Sequence, residues 1–128
     1  MLAACVALAA GCGRPHASRD VGAFVRAGVT PTERQILRSI GLYRTSSGRV
    51  ACTLITPHFL KTRYDGQLHG CQVIVGEAPR TLPRSAQVES VTGERANVRV
   101  HELTATVSIY RMRRVAATWK IDDIVEPK

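Results

Sequence analysis

The chain has 128 residues and a formal net charge of +8, which comes from 18 basic and 10 acidic side chains. This length suits one domain with a single hydrophobic core and is too short for two. The basic residues are spread along the chain and are not gathered into a stripe with aromatic partners, which argues against a nucleic-acid surface. They are interpreted as a solvated, Arg-rich surface, and contact with anionic lipid headgroups is the alternative.

The first 12 residues form an uncharged apolar segment that ends in a cysteine. This segment is too short to cross the ~30 Å core of a bilayer as a helix. Residues 8–12 (LAAGC) resemble the lipobox of a bacterial lipoprotein, in which small residues precede a cysteine that is cleaved, lipidated and left as the N-terminus. The resemblance implies a lipid on Cys12 and a protein held on the outer side of the cell membrane, in the cell envelope. A frayed N-terminus without a targeting role is the alternative.

Residues 2–5 (LAAC) also match this box, but only Met1 precedes them, so the apolar part of a signal peptide would be absent. Cys12 is therefore the preferred site. No Lys or Arg precedes the apolar segment, although secretory signals carry such residues there. We therefore expect translation to start upstream.

Cys52 and Cys71 are the two cysteines outside the N-terminal segment, and an exported chain meets an oxidising environment. We predict a disulfide between them, with free buried thiols as the alternative. A zinc site would need four ligands at short spacing, and the sequence has neither a Cys-x-x-Cys nor a His-x-x-x-His pair. His58 and His69 fall between the cysteines, but nothing in the sequence places either ring on a sulfur atom. We therefore assign no metal, no cofactor and no catalytic residue.

The first predicted elements are a tether and a long helix. Residues 13–29 mix polar residues with Pro and Gly, which indicates a tether that ends in a weakly helical stretch. The folded domain is predicted over residues 30–128. Thr30 and Glu33 form a capping box around Pro31, which is the strongest helix start in the chain. The helix should place one apolar face inward and end near residues 45–48; that face comprises Ile36, Leu37, Ile40 and Tyr43.

Shorter helices should follow. Ser47 is a candidate cap for the second helix, and Thr56 with Pro57 repeats the cap-and-proline signal for a third that ends before residues 65–66. Residues 68–77 fit either a helix or a strand by periodicity. We favour a helix, because the disulfide at Cys71 would hold it against the two short helices that precede it.

From residue 86 the apolar pattern changes to a period of two. Val88 begins a strand that turns at residues 92–95, and two further alternating stretches cover residues 96–101 and 105–110. A third turn is predicted at Arg113-Arg114, before a last strand that contains Trp119. Four consecutive strands with short links indicate an antiparallel sheet with one wet face, and helices followed by a sheet give an α+β fold.

This order of elements resembles a known family. The long capped helix, residues 51–57 (ACTLITP), the second cysteine and residues 118–124 (TWKIDDI) are similar to the nuclear transport factor two-like lipoproteins of actinobacteria, over residues 30–124. The resemblance implies a cystatin-like, cone-shaped roll, which is a curved sheet wrapped over helices with a pocket at its open end. It also implies a homodimer that forms through the sheet. Tyr43, Tyr110 and Trp119 are the candidate pocket residues, and simple core positions are the alternative.

Three functions remain open. The preferred one is a non-enzymatic, lipid-anchored protein that binds a small apolar ligand or an envelope protein. The second, implied by the resemblance, is a ketosteroid-isomerase-like enzyme, for which Asp122 or Asp123 beside the last strand would have to turn inward. The third is a structural subunit of an envelope complex. An apolar cavity without a carboxylate would favour the binding protein. A buried carboxylate beside a Tyr hydroxyl would favour the enzyme, and a flat apolar sheet would favour the structural subunit.

Overall fold

The computed structural model describes residues 16–127, with side chains described from residue 21 onward. Cys5 and Cys12 lie outside the described residues. Within this part of the chain, five helices precede a four-stranded antiparallel sheet of order β1-β2-β3-β4, which confirms the predicted α+β class. The elements are α1 (His16–Val25), α2 (Pro31–Thr45), α3 (Gly48–Ala51), α4 (Pro57–Tyr64), α5 (Leu68–Glu77), β1 (Ser85–Thr92), β2 (Arg95–His101), β3 (Val107–Val115) and β4 (Thr118–Val125).

Helix α2 begins where the capping box predicted. The Thr30 hydroxyl accepts a hydrogen bond from the Glu33 amide at 3.1 Å, and the Glu33 carboxylate accepts one from the Val29 amide at 2.9 Å. The first bond satisfies an amide that the first helical turn leaves without a partner, and the second ties the residue before the cap to the helix. The predicted apolar face of α2 is buried, with Ile36 and Ile40 completely inaccessible to solvent. Helix α2 therefore supplies the centre of the core.

The disulfide joins the short helices. The sulfur atoms of Cys52 and Cys71 lie 2.07 Å apart, which confirms the predicted pairing. Residues 68–77 form helix α5, as favoured, and Cys71 on it is fully buried. Helices α3 and α5 approach so closely that a Cβ atom on Gly48 would lie 2.1 Å from the carbonyl oxygen of Gln72. Only glycine fits at this contact.

The folded domain includes part of the segment interpreted as a tether. Helix α1 falls within residues 13–29, and its Phe24 and Val25 are only 9% and 3% exposed. The helix packs on α2 beside Gly41, where an added Cβ would lie 3.3 Å from Val21 and 3.4 Å from Phe24. Val21, Phe24 and Val25 therefore form a helical face that packs in the space beside Gly41, although they lie in the segment interpreted as a tether.

The sheet contains two differences from the sequence prediction. The last turn lies at Ala116 and Ala117, which both have positive φ, and not at Arg113-Arg114. The alternation predicted for residues 105–110 has Val107 and Ile109 as apolar members, which would face the core. In β3, Tyr110 and Met112 face the core instead, and Val107 and Ile109 take the outer face. Pairing fixes this register, because Tyr110 lies opposite Val98 and Met112 opposite Ala96, and all four are buried.

The free edge of β4 is paired at Ile121 by the segment that precedes α4. Ile55 forms a parallel bridge with Ile121. The Thr56 amide donates a hydrogen bond to the Ile121 carbonyl at 3.0 Å, and the Ile121 amide donates one to the Leu54 carbonyl at 2.8 Å. This contact leads directly into helix α4, which begins at Pro57.

No helix in the described part of the chain is long and apolar enough to cross a membrane.

Candidate ligand groove

The three aromatic residues predicted to line a pocket belong to the core. Tyr43, Tyr110 and Trp119 are 9%, 3% and 2% exposed, and all three pack in the main apolar cluster. None of them lines the groove or the basin described below. The indole Nε1 of Trp119 is buried and has no hydrogen-bond partner among the described residues. The alternative interpretation, simple core positions, fits this placement better.

An ion pair closes the core above Tyr110. The guanidinium of Arg44 donates to both carboxylate oxygens of Glu102, at 2.8 and 3.0 Å, and to the Tyr110 hydroxyl at 3.2 Å. Burial raises the pKa of Tyr110, and the positive charge of Arg44 offsets part of that rise. Because Arg44 holds both oxygens of Glu102, this carboxylate is not a free base beside a Tyr hydroxyl.

A groove of about 810 Å³ lies elsewhere, between helix α1, residues 80–86 and the loop that precedes β3. Phe24 and Leu82 form its floor, and Leu103, which is 64% exposed, stands at its edge. Its full lining is Ala23, Phe24, Ala27, Thr45, Arg80, Thr81, Leu82, Pro83, Arg84, Ser85, Ala86 and Leu103. Most of these side chains are apolar, and the volume lies in the range of small-molecule sites.

One wall of the groove is a coil that two arginines hold in place. Pro79 and Pro83 lie in this coil between α5 and β1, where proline lacks the amide that a helix would need. The Arg84 amide donates to the His101 carbonyl at 2.8 Å and ties the coil to β2. The Arg80 side chain donates to the carbonyl oxygens of Ser46 at 2.8 Å, Val75 at 3.0 Å, and Tyr43.

The carbonyls that Arg80 binds lie at the C-terminal ends of α2 and α5, where helices leave acceptors without partners and carry partial negative charge. Burial lowers the pKa of Arg80, but a guanidinium stays protonated in proteins. No carboxylate of the described residues forms an ion pair with it, and Asp and Glu are absent from the lining of the groove. The groove is therefore apolar with a positive rim formed by Arg80 and Arg84.

A smaller polar basin of about 360 Å³ lies on the sheet near the start of α4. It contains both acids considered for catalysis. Asp122 accepts a hydrogen bond from the Thr56 hydroxyl at 2.6 Å, and Asp123 accepts one from the Ile124 amide at 2.9 Å and lies 3.6 Å from Arg63. The full lining is His58, Ser90, Thr92, Arg95, Ala96, Asn97, Arg111, Met112, Asp122 and Asp123. Neither acid lies in an apolar cavity beside a Tyr hydroxyl.

Over residues 16–127, no group of three or more His, Cys, Asp and Glu side chains is placed to hold a metal ion. No protein-family model, curated protein or solved structure matches this chain. The resemblance to nuclear transport factor two-like lipoproteins therefore remains an expectation that rests on the residues alone.

The sequence prediction missed the groove. Phe24 lay in the segment interpreted as a tether, and Leu82 and Leu103 lay in stretches without periodicity.

Proposed function

We propose that this chain is a lipid-anchored, extracytoplasmic binding protein whose groove takes a single-chain anionic amphiphile, such as a long-chain carboxylate. One observation carries the proposal: the groove is lined mainly by apolar side chains, and its charged groups are Arg80 and Arg84 without an acid. A hydrocarbon chain gains ~0.8 kcal/mol for each methylene that leaves water. The anionic head would lie at the rim, near the guanidinium groups.

The choice of an anion over a neutral lipid follows from Arg84. This side chain is exposed at the rim, and it forms none of the ion pairs found among the described residues. Arg80 is committed to three carbonyl oxygens, so it contributes long-range positive charge and Arg84 supplies the free donors. A carboxylate at the rim would receive charge-assisted hydrogen bonds that an alcohol could not receive.

Other observations support the location. The apolar segment ending at Cys12 resembles a lipobox, and a joined Cys52–Cys71 pair is typical of oxidising compartments outside the cytoplasm. We also propose that the sheet and its helices form the cystatin-like roll of the resemblance, with helices on one face of the sheet supporting that topology.

The binding proposal is tested with dodecanoate and with dodecanol, its neutral counterpart, by isothermal titration calorimetry. Ala23→Trp places a large ring from α1 in the groove, and the matched control Gln35→Trp places the same ring on the exposed side of α2. We expect Ala23→Trp to weaken dodecanoate binding at least tenfold and Gln35→Trp to leave it unchanged. Equal affinities for all three proteins would refute the groove as the binding site.

The choice of ligand charge is tested with Arg84→Gln. Because the amide keeps a donor but loses the charge, we expect dodecanoate to bind about fivefold to tenfold more weakly, which corresponds to 1–1.4 kcal/mol, and dodecanol to bind as before. An equal effect on both probes would show that the rim does not select an anion.

The anchor needs its own test. Metabolic labelling with a fatty-acid probe should label the wild-type chain and the Cys5→Ser variant, and should fail in Cys12→Ser. An unchanged label in Cys12→Ser would exclude this cysteine as the anchor and leave the groove proposal standing.

A further inference from the structure

The outer face of the sheet carries a row of positive charges that cross three strands in register. Arg95 on β2 lies directly opposite Arg113 on β3, and Arg113 lies opposite Lys120 on β4. Neighbouring strands are about 4.8 Å apart, so the backbone positions of these three residues span roughly 10 Å. Arg111 lies on the same face two residues from Arg113. We call Arg95, Arg111, Arg113 and Lys120 the basic face.

Three of these charges have no carboxylate opposite them in the sheet, and Arg111 is the exception, because it lies opposite Asp123 on β4. The three ion pairs of the described residues involve Arg44, Arg63 and Arg99, and none involves the basic face. The two acids nearest in the sheet register, Asp122 and Asp123, are engaged by Thr56 and Arg63. Like charges placed directly opposite each other in a sheet are destabilising. A row of this kind therefore reduces stability unless an anionic surface covers it.

We propose that the basic face docks on the anionic headgroups of a membrane. The inference rests on the proposed anchor but not on the ligand of the groove. Only residues 13–15 separate Cys12 from the start of α1, and such a link reaches about 14 Å when fully extended. An anchored domain therefore stays close to the bilayer, where each basic side chain near an anionic surface raises partition onto that surface about fivefold.

The same charges disfavour the homodimer through the sheet that the family resemblance implies. Two copies that met by this face would bring their cations together and would leave them away from solvent and counter-ions. The fully exposed positions of this face on β2 and β3 are polar, and half-buried Val107 and Ile109 lie at its other end, away from the row of charges. The face therefore differs from the flat apolar surface expected of a structural subunit. An anionic surface is the occupant that satisfies the charges.

The test measures partition of the full chain between buffer and lipid vesicles. One set of vesicles contains 30% phosphatidylglycerol in phosphatidylcholine, and the other contains phosphatidylcholine alone. The double variant Arg95→Gln/Arg113→Gln removes two charges of the basic face. The matched control Arg26→Gln/Arg38→Gln removes two exposed charges elsewhere, one after α1 and one on α2. All variants keep the apolar N-terminal segment, so its contribution cancels.

We expect the basic-face variant to lose about 30-fold in partition onto the anionic vesicles, since each charge contributes about fivefold. The control should lose less than threefold, and all proteins should bind the neutral vesicles equally. Equal losses in the two variants would show that net charge alone acts and would overturn the proposal. So would displacement from the vesicles by 10 mM inorganic phosphate at constant ionic strength, which would indicate a small-anion site.

A stability measurement guards against a folding defect. Removing like charges from opposite positions should leave the urea midpoint of the basic-face variant equal to or above that of the wild-type chain. Failure of this proposal and failure of the groove proposal remain distinguishable, because the basic-face variant should bind dodecanoate normally and Ala23→Trp should bind vesicles normally.

Discussion

The disulfide should supply a large share of the stability of this domain, and its contribution can be worked from the loop that it closes. Cys52 and Cys71 are 19 positions apart in the chain. In the chain-entropy model, a loop of that length removes about 3 kcal/mol of conformational freedom from the unfolded state at 25 °C. Small domains have about 5–15 kcal/mol of total stability, so the bridge would account for roughly a fifth to three fifths of it.

The perturbation is the double variant Cys52→Ala/Cys71→Ala, which avoids a free thiol. Urea unfolding followed by far-UV circular dichroism should show a free energy of unfolding about 3 kcal/mol lower than that of the oxidised wild-type protein. With a slope of about 1.5–2 kcal/mol per molar urea, the midpoint falls by roughly 1.5–2 M. Wild-type protein measured in reductant is the control for the substitutions themselves.

Two results would refute this reasoning. A loss below about 1 kcal/mol in both the variant and the reduced wild type would mean that the helices hold this loop closed without the bridge. Alkylation of both thiols in unreduced wild-type protein, detected by mass spectrometry, would mean that the bridge does not form.

Three further predictions concern packing and titration. Gly48→Ala should destabilise the protein by about 1–3 kcal/mol or more, because the added Cβ would lie 2.1 Å from the Gln72 carbonyl oxygen. In the control Gly70→Ala the added Cβ would lie 3.5 Å from its nearest neighbour, so this variant should keep the wild-type stability. Thermal unfolding measures both variants. Phe24→Ala should lower the free energy of urea unfolding by about 3 kcal/mol, because Phe24 is only 9% exposed. The control Val29→Ala should leave it nearly unchanged, because Val29 is 82% exposed. Equal effects would place α1 outside the domain. Burial raises the pKa of Tyr43 above its unfolded value near 10, so its contribution to stability is complete below pH 10 and is lost as the pH rises further. Urea midpoints between pH 9 and pH 11 should therefore fall less steeply for Tyr43→Phe than for wild type, and identical slopes would contradict this assignment.

Local signals in the sequence were sufficient for much of the fold. The capping residues Thr30, Ser47 and Thr56 each precede a helix, because a side-chain oxygen that satisfies the first amides works without tertiary help. The pairing of Cys52 with Cys71 followed from the small number of cysteines. The strands followed from alternation with a period of two, which requires only one buried face.

The differences arise where tertiary contacts decide. Helix α1 forms its apolar face with three residues, and Gly41 on another helix provides the space that accepts it. The turn at Ala116 and Ala117 has positive φ at two alanines, and nothing in their side chains signals such a turn. The register of β3 is set by its buried neighbours, which a pattern within one strand cannot show.

The candidate site was the hardest part to predict. Tyr43, Tyr110 and Trp119 were chosen because aromatic rings with a polar tip often line pockets, but large rings also fill cores. The groove is built from a helix, a proline-containing coil and a loop tip that are distant in the chain, and Leu103 and Ala23 carry no local signal. Its positive rim depends on Arg80 reaching two helix ends, which only the assembled fold shows.

The most direct test of the central claim is a two-dimensional 1H–15N NMR titration of the folded protein with dodecanoate. The account predicts saturable shift changes at the amides of Phe24, Leu82 and Leu103, with the amides of the basic face unchanged. Shift changes confined to the polar basin or the basic face, or a spectrum that does not respond at millimolar dodecanoate, would contradict it.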